Sequence, residues 1–425
     1  MPKFHKLFWL AACVLACIET TCRSQEVQDS FVTLTSWSLE TLSGCNASVK
    51  PIDRCLECWN SVQHPRAGSF SLGGWTQLGY HSRGLGEPAL ATRFNQRPGQ
   101  VQLQQAWLFA EKKVCGRNGL QLGGRIDYLY GSDASQLQSI STGVSANGSA
   151  WDSSWRHGSY GHALPQVYGE LAYGAFDLKI GRFFTILGYE VAAAPDNFFY
   201  SHSWQFRSVN PLAHTGVLAS YDVTDGLTAY AGYTLGWDSG FADNGDAFLG
   251  GLGWQLTDAF SLTYTTSAGR LNTASGAVGG AVPVPNFVSE RGHVQSLTTR
   301  YRVTDRFAFI SQKDFVATRL QDGRLFRSSN GFTNYFFYQF AERFTGGLRF
   351  EYWRVGGDGF TATGKTADVY SITLGLNCRP SSFFTIRPEV RWDWGLQRDA
   401  MQNLQLNEDG ARAQTTFGID AIILL

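Results

Sequence analysis

Charged side chains recur at every second position in several segments of the chain. In RPEVRWD (387–393), Arg387, Glu389, Arg391 and Asp393 alternate with uncharged residues. Alternate positions of an extended strand point to the same face, so these four charges would line one wall. Opposed charges on the wall of a narrow aqueous channel orient polar solutes and set ion preference. If this strand lines such a channel, its charges would act on the ions and solutes that pass.

Two other segments could carry chemistry. SHSW (201–204) places His202 between two serines, and His214 follows, so a lipase-like serine and histidine could meet there. DSGFADNGD (238–246) is acidic enough to hold Ca²⁺ but lacks the spacing of a known calcium loop. Ordinary polar loops explain both segments as well. We therefore predict no catalytic residue, no metal site and no cofactor.

The cysteines indicate an oxidising compartment. Of the eight cysteines, three lie in the first 24 residues, and Cys55 and Cys58 form a CxxC. No second CxxC accompanies it, as a four-cysteine metal site would require. We predict a disulfide candidate at Cys55 and Cys58, with a metal or redox pair as the alternative.

Composition excludes several classes of protein. Lys+Arg and Asp+Glu balance at 35 each, which gives no reason to expect a nucleic-acid partner. Charged residues make up only 16% of the chain, below the usual quarter of a soluble protein. No apolar stretch of 18 residues lies beyond the N-terminus, so no membrane helix is predicted.

The N-terminus has the pattern of an export signal. A basic start precedes LFWLAACVLACI (7–18), which is too short to span a bilayer. We predict a signal peptide at 1–24, cleaved after Ser24, with lipoprotein processing at LAAC (10–13) or VLAC (14–17) as the alternative. Residues 25–68 show no alternation. They could form a periplasmic extension, a partial plug or a disordered lead.

Alternation predicts β-strands over most of the remaining chain. In LQLGGRIDYLYG (120–131) and FTGGLRFEYW (344–353), apolar residues alternate with polar or charged ones, and aromatic rings stand near the strand ends. Strands of about ten residues with this pattern are typical of membrane barrels, where lipid contacts the apolar face and water fills the lumen. A soluble sandwich would leave the aromatic ends unexplained.

A repeated short phrase predicts the turns between these strands. VTDGL (223–227), LTDAF (256–260), VTDRF (303–307) and FAERF (340–344) each place a polar bend between apolar residues. Such a bend between two strands is typical of a tight hairpin.

Sixteen strands are predicted, an even number as expected for a single-chain bacterial barrel. Short turns and long loops alternate between them, so we expect an all-β transmembrane barrel over 69–425. The strands are predicted at 69–81, 101–112, 120–131, 164–173, 177–184, 214–223, 227–237, 247–256, 260–268, 291–303, 307–316, 332–340, 344–353, 367–378, 383–394 and 411–425.

Several segments together resemble the putative beta-barrel porin family (OmpL-like) of bacterial outer membranes. The resemblance covers roughly 70–425 and is strongest over 100–222. It implies a barrel and a pore, without a defined solute. The segments are LQQAWLFAEK (103–112), GGRIDYLYGSDA (123–134), YGELAYG (168–174), LKIGRFFTILGYE (178–190), APDNFFYSHSW (194–204) and LAHTGVLASYD (212–222).

The third long loop, 185–213, is the candidate pore constriction. In sixteen-stranded general porins the loop after the fifth strand folds into the lumen, and this position and length match it. Glu190 and Asp196 would then be acidic groups at the constriction. Alternatively, Asp196 belongs to a simple turn and the strand arginines pair locally, Arg349 with Glu351 and Arg387 with Glu389. The candidate pore-lining basic residues facing the loop are Arg125, Lys179, Arg300, Arg349, Arg387 and Arg391.

These observations lead to a prediction of function. We expect an outer-membrane porin, a homotrimer by analogy with general porins, that passes small hydrophilic solutes by diffusion and contacts outer-membrane lipids and lipopolysaccharide. A substrate-selective channel is one alternative. A closed barrel acting as an adhesin or surface enzyme is another.

Overall fold

The computed structural model describes the protein over residues 70–83, 94–95, 97–116, 119–139, 152, 155–241, 245–274, 288–358, 365–397 and 411–425. Residues 1–69 fall outside these ranges. The signal peptide, the extension at 25–68 and the Cys55–Cys58 pair therefore stay predictions. Within the described part, Cys115 is disulfide-bonded, and Cys378 is buried and not in a disulfide.

The described chain is almost entirely β-sheet. Two short α-helices, Ala134–Leu137 and Trp204–Ser208, and a 3₁₀ turn, Ala194–Asp196, lie in connections. Strands β1 to β18 run, in order, over Phe70–His81, Gln102–Lys112, Gln121–Gly131, Arg156–His157, Tyr160–Ala163, Val167–Tyr173, Phe176–Phe184, Ala213–Thr224, Leu227–Trp237, Asp246–Thr257, Phe260–Ala274, Val288–Thr304, Phe307–Leu320, Leu325–Ala341, Phe344–Gly356, Ala367–Ser381, Phe384–Gly395 and Ala413–Leu424.

Sixteen of these strands form a closed antiparallel ring, as predicted. Each of the sixteen pairs with the next ring strand along the chain. β3 pairs directly with β6, so the small hairpin β4–β5 is not one of the ring strands. The last strand closes on the first, with Trp75 opposite Leu424 and His81 opposite Gly418. Closure gives the backbone groups of both end strands a partner.

The repeated phrases form two-residue turns, which confirms that prediction. β12 and β13 meet at Asp305 and Arg306, and the Thr304 hydroxyl accepts the Phe307 backbone N–H at 3.0 Å. Thr224 accepts the N–H of Gly226 at 3.3 Å in the same way. The threonine thus bonds the backbone of its own turn, which explains its recurrence before the bend.

The two faces of the sheet differ as the alternation predicts. On the outside, Tyr233 and Leu252 are 51% and 50% exposed. On the inside, Arg349 and Glu351 are 0% and 1% exposed on the same strand, β15. None of the described helices is long and apolar enough to cross a membrane.

Two features of the long-loop end were not predicted. The hairpin β4–β5 lies within the predicted loop 132–163, where Arg156 pairs with Gly161. β13 and β14 also continue beyond their predicted ends, so only residues 321–324 connect them instead of the predicted loop 317–331. Strands that rise past the lipid keep their backbone pairing but no longer need an apolar outer face, so the alternation fades.

We predict that the barrel depends on its last strand. Deleting residues 413–425 leaves β1 and β17 as open edges, and each unpaired backbone group in lipid costs several kcal/mol. In cold SDS gels the deletion variant should show only the unfolded band. Thr415→Ala, which changes one outward side chain of the same strand, should keep the folded, heat-modifiable band. A folded band from the deletion variant would contradict ring closure by β18.

Candidate functional site

The connection 185–212, between β7 and β8, contacts inward-facing side chains of strands around the ring. Gln312 on β13 accepts the Tyr189 backbone N–H at 2.8 Å. Gln105 on β2 donates to the Ala192 carbonyl at 2.9 Å. Most of the segment is buried. We call residues 185–212 the lumen loop.

Most of the lumen loop is irregular, with one short helix. The helix Trp204–Ser208 begins after Ser203, whose hydroxyl caps it by accepting the Phe206 N–H at 3.2 Å. A buried irregular segment must find partners for its own N–H and C=O groups outside regular structure. The charged side chains of the wall supply many of them.

Acidic residues of the wall accept backbone N–H groups of the lumen loop. Glu389 on β17 accepts the N–H groups of Tyr200 and Ser201 at 3.0 and 3.1 Å. Glu351 on β15 accepts the Trp204 N–H at 2.6 Å. Two glutamates therefore hold the loop over residues 200–204.

Basic residues of the wall bind its carbonyls. Arg349 donates to the Ser201 carbonyl at 2.6 Å, and Arg391 donates to the His202 carbonyl at 2.7 Å. Arg387 donates to the Ala194 carbonyl at 2.9 Å and also to the Asn197 carbonyl. Such charge-assisted bonds are roughly twice as strong as neutral ones.

The carboxylate of Glu190, in the lumen loop, has several partners. Its carboxylate lies 2.9 Å from Arg349 Nη1 and accepts the Tyr335 hydroxyl at 3.0 Å and the Ser203 N–H at 2.7 Å. Burial by itself would raise the pKa of Glu190, but Arg349, His202 and the Ser203 N–H lower it to about 2. Glu190 is therefore a carboxylate at every physiological pH.

Glu190 and Asp196, the two acidic residues predicted in this loop, have different surroundings. Asp196 lies half-buried in the 3₁₀ turn. Asn197 holds that turn, since its side chain bonds the Val191 carbonyl at 2.7 Å and the Ala193 carbonyl at 2.9 Å. Glu190 pairs directly with a wall arginine, whereas Asp196 belongs to a local turn.

The six predicted basic residues fall into two groups. Arg349, Arg387 and Arg391 contact the lumen loop, and Arg300 lies 5.7 Å from the ring of Tyr189. Arg125 and Lys179 lie in a second cluster, where Arg125 binds Asp127 at 2.6 Å and Lys179 is 3.5 Å from Glu170.

The local pairings expected for the arginines are only partly present. Arg349 does pair with Glu351, with Nε 3.1 Å from the carboxylate. Arg387 pairs with Asp420 on β18, at 2.9 Å from Nε, and Glu389 binds the lumen loop instead. Arg182, also on β7, is buried and donates to loop carbonyls, that of Ser239 at 2.7 Å and that of Leu137 at 3.0 Å.

Aromatic side chains complete the site and were not predicted. Phe198 and Phe199 of the lumen loop pack against Phe337 on the inner wall, with ring centroids 4.6 and 6.2 Å away. Tyr335, beside Phe337 on β14, lies 4.7 Å from Tyr189. In YFFYQF (335–340) rings occupy both faces of the strand. The polar residues Thr333 and Gln339, at alternate positions with Tyr335 and Phe337, are the signal that could have indicated the inward rings.

The serine–histidine segment has structural contacts. Ser201 Oγ accepts from Arg349 Nη2 at 3.0 Å, and Ser203 Oγ caps the helix. His202 stacks on Phe206 with 4.3 Å between centroids. His214 faces Thr185 Oγ1 at 3.1 Å. Both serine hydroxyls thus hold the lumen loop in place.

Comparison with known proteins identifies the fold and a family. Residues 69–425 match the model of the family described as putative beta-barrel porin-2, OmpL-like. No curated protein matches the sequence.

Solved outer-membrane proteins share the fold at low identity. In vitro folded OmpT of Vibrio cholerae, in its trimer form, is 12% identical with a TM-score of 0.56, covering 85% of this chain and 100% of that one. OmpF of Salmonella typhi, complexed with daunomycin, is 14% identical with a TM-score of 0.54, covering 84% and 98%. The anion-selective porin from Comamonas acidovorans is 11% identical with a TM-score of 0.52, covering 84% and 99%.

We predict a pH-dependent contribution of Glu190 to stability. Its carboxyl has an ordinary pKa of 4.5 and a folded-state pKa of about 2, so its stabilisation is present above pH 4.5 and lost as the pH falls towards 2. Glu190→Gln should lower the free energy of unfolding by about 3 kcal/mol at pH 7, because it leaves Arg349 partly uncompensated. That difference should shrink below about pH 4.5.

Urea unfolding of the refolded barrel across this pH range measures the difference. Glu342→Gln, in an exposed two-residue turn, is the matched control and should stay near the wild-type value throughout. A Glu190→Gln deficit that is the same at pH 7 and pH 3 would contradict the ion pair.

Proposed function

Since the chain belongs to the putative beta-barrel porin-2, OmpL-like family, we propose that it is an outer-membrane porin through which small hydrophilic solutes and ions diffuse. The long loops then face outside the cell and the two-residue turns face the periplasm. The observation that carries the proposal is that charged wall residues hold the lumen loop inside the ring, so a solute crossing the ring would have to pass that loop.

The lumen loop is the proposed constriction. Wall residues of β13, β15 and β17 bind it, including Gln312, Glu351, Glu389 and Arg391. A loop held from several strands narrows the path and presents a fixed arrangement of charges to a passing solute. We therefore propose a small exclusion limit, set by the loop.

A substrate-selective channel is the second candidate. The observation that favours it is the burial of Arg349 and Arg391, each 0% exposed behind the lumen loop. Charges that are this well covered contribute little to a wide, unselective pore. A selective channel would pass one class of solute far faster than others of the same size.

A homotrimer is also proposed. The trimer form of Vibrio cholerae OmpT is a property of that protein, and the shared fold extends the expectation to this chain. Cross-linking of the detergent-solubilised, folded protein should give a trimer band that heating removes. A band at the monomer position alone would overturn this part of the proposal.

Solute flux into liposomes tests the proposed function. Vesicles that contain the refolded chain should swell in small neutral sugars and stop swelling above a size limit, whereas a selective channel should separate solutes of equal size. Vesicles that do not swell, with a heat-modifiable folded band, would contradict the pore and favour a closed barrel.

We predict that loosening the lumen loop widens the pore. Arg387→Gln removes the donors to the Ala194 and Asn197 carbonyls, so single-channel conductance and the size limit should both rise. Arg306→Gln, in an exposed two-residue turn, removes the same charge elsewhere and should leave both unchanged. Unaltered conductance in a folded Arg387→Gln barrel would contradict the constriction.

A further inference from the structure

Three arginines stand side by side on the outer face of the barrel, at its long-loop end. Arg270 on β11 is directly opposite Arg291 on β12, and Arg291 is directly opposite Arg319 on β13. Opposed positions on neighbouring antiparallel strands place Cβ atoms about 5 Å apart. We call these three residues the arginine row.

The arginine row carries net positive charge. Asp246 binds Arg270 Nε at 2.6 Å, and Arg319 donates to the Gly323 carbonyl at 2.9 Å. No carboxylate within the described ranges forms an ion pair with Arg291 or Arg319, and both residues are exposed. Like charges directly opposite one another destabilise a sheet, so an anion between them would stabilise this one.

The row lies at the height of a lipid headgroup. Thr304 and Phe307 mark the short-turn ends of β12 and β13. Arg291 is thirteen residues from Thr304, and Arg319 is twelve residues from Phe307. With a rise of about 3.3 Å per residue and a tilt of about 40°, both lie roughly 30 Å above those ends. The apolar band of such barrels is about 25 Å tall, so the row borders its outer rim.

The surface below the row is suited to an acyl chain. Ala268 and Ala317 flank His293 in register, and the His293 ring lies 5.6 Å from Phe315, which is 39% exposed. The small alanine side chains leave space beside these rings against which an acyl chain could lie. Arginines above such a surface match the charged headgroup and apolar chains of an amphipathic lipid.

We propose that the arginine row binds the phosphate groups of lipopolysaccharide in the outer leaflet. Guanidinium groups bind phosphate through paired N–H donors. Three guanidinium groups across three strands span about 10 Å, so they can bind more than one phosphate group at once. The proposal rests on the outer-membrane placement of the barrel and not on its pore activity.

Native mass spectrometry of the refolded chain in neutral detergent tests the site. Bisphosphoryl lipid A should bind the wild type more tightly than monophosphoryl lipid A or phosphatidylglycerol. The double variant Arg291→Gln/Arg319→Gln should lose about tenfold or more in affinity for bisphosphoryl lipid A, because it loses several charge-assisted hydrogen bonds. Both positions are exposed, so a heat-modifiable band should show that the variant folds.

The matched control is Arg306→Gln/Arg343→Gln, which removes two arginines from two-residue turns at the opposite end. It should bind lipid A as the wild type does. Equal lipid A affinity in the wild type and the Arg291/Arg319 variant would overturn the proposal. Equal wild-type affinity for phosphatidylglycerol would overturn the choice of lipopolysaccharide. The proposal would also be overturned if, in the absence of lipid, the Arg291/Arg319 variant lost the oligomers that the wild type forms. The arginine row would then be a contact between subunits.

Discussion

A β-strand in lipid has no water to bond its backbone, and this constraint governs the rest of the structure. It requires a closed ring, which β18 completes against β1. A closed ring of sixteen strands has one face towards lipid and one towards the lumen, so side chains must alternate in character. It also encloses a space in which any further backbone needs partners of its own.

The lumen loop meets that second demand through charged side chains of the wall. Glu389 and Glu351 take its N–H groups, and arginines of β15 and β17 take its carbonyls. Glu190 adds a charge from the loop itself, placed between Arg349 and Tyr335. Removing one member of a buried ion pair costs about 3–5 kcal/mol. These charged side chains are buried against the loop, so they fix its position inside the ring.

The strands could be predicted because their signals are local. Alternation within about ten residues, together with the short polar bends between such segments, predicted all sixteen strands of the ring. The contacts of the site could not be predicted, because their partners are distant in sequence: Glu190 and Arg349 are 159 residues apart. Arg387 illustrates the limit, since Glu389 is the nearest carboxylate in sequence but Asp420 on the next strand is its partner. The hairpin β4–β5 was missed because its strands, of two and four residues, are too short to show an alternating pattern.

The ion pair between Arg349 of the wall and Glu190 of the lumen loop is the central interaction of the site. A double-mutant cycle with Glu190→Gln, Arg349→Gln and both together, followed by the free energy of unfolding at pH 7, measures that coupling directly. We expect each single change to cost about 3 kcal/mol and the double change to cost much less than their sum, with a coupling energy of about 2 kcal/mol. Additive costs, with a coupling energy near zero, would contradict the account.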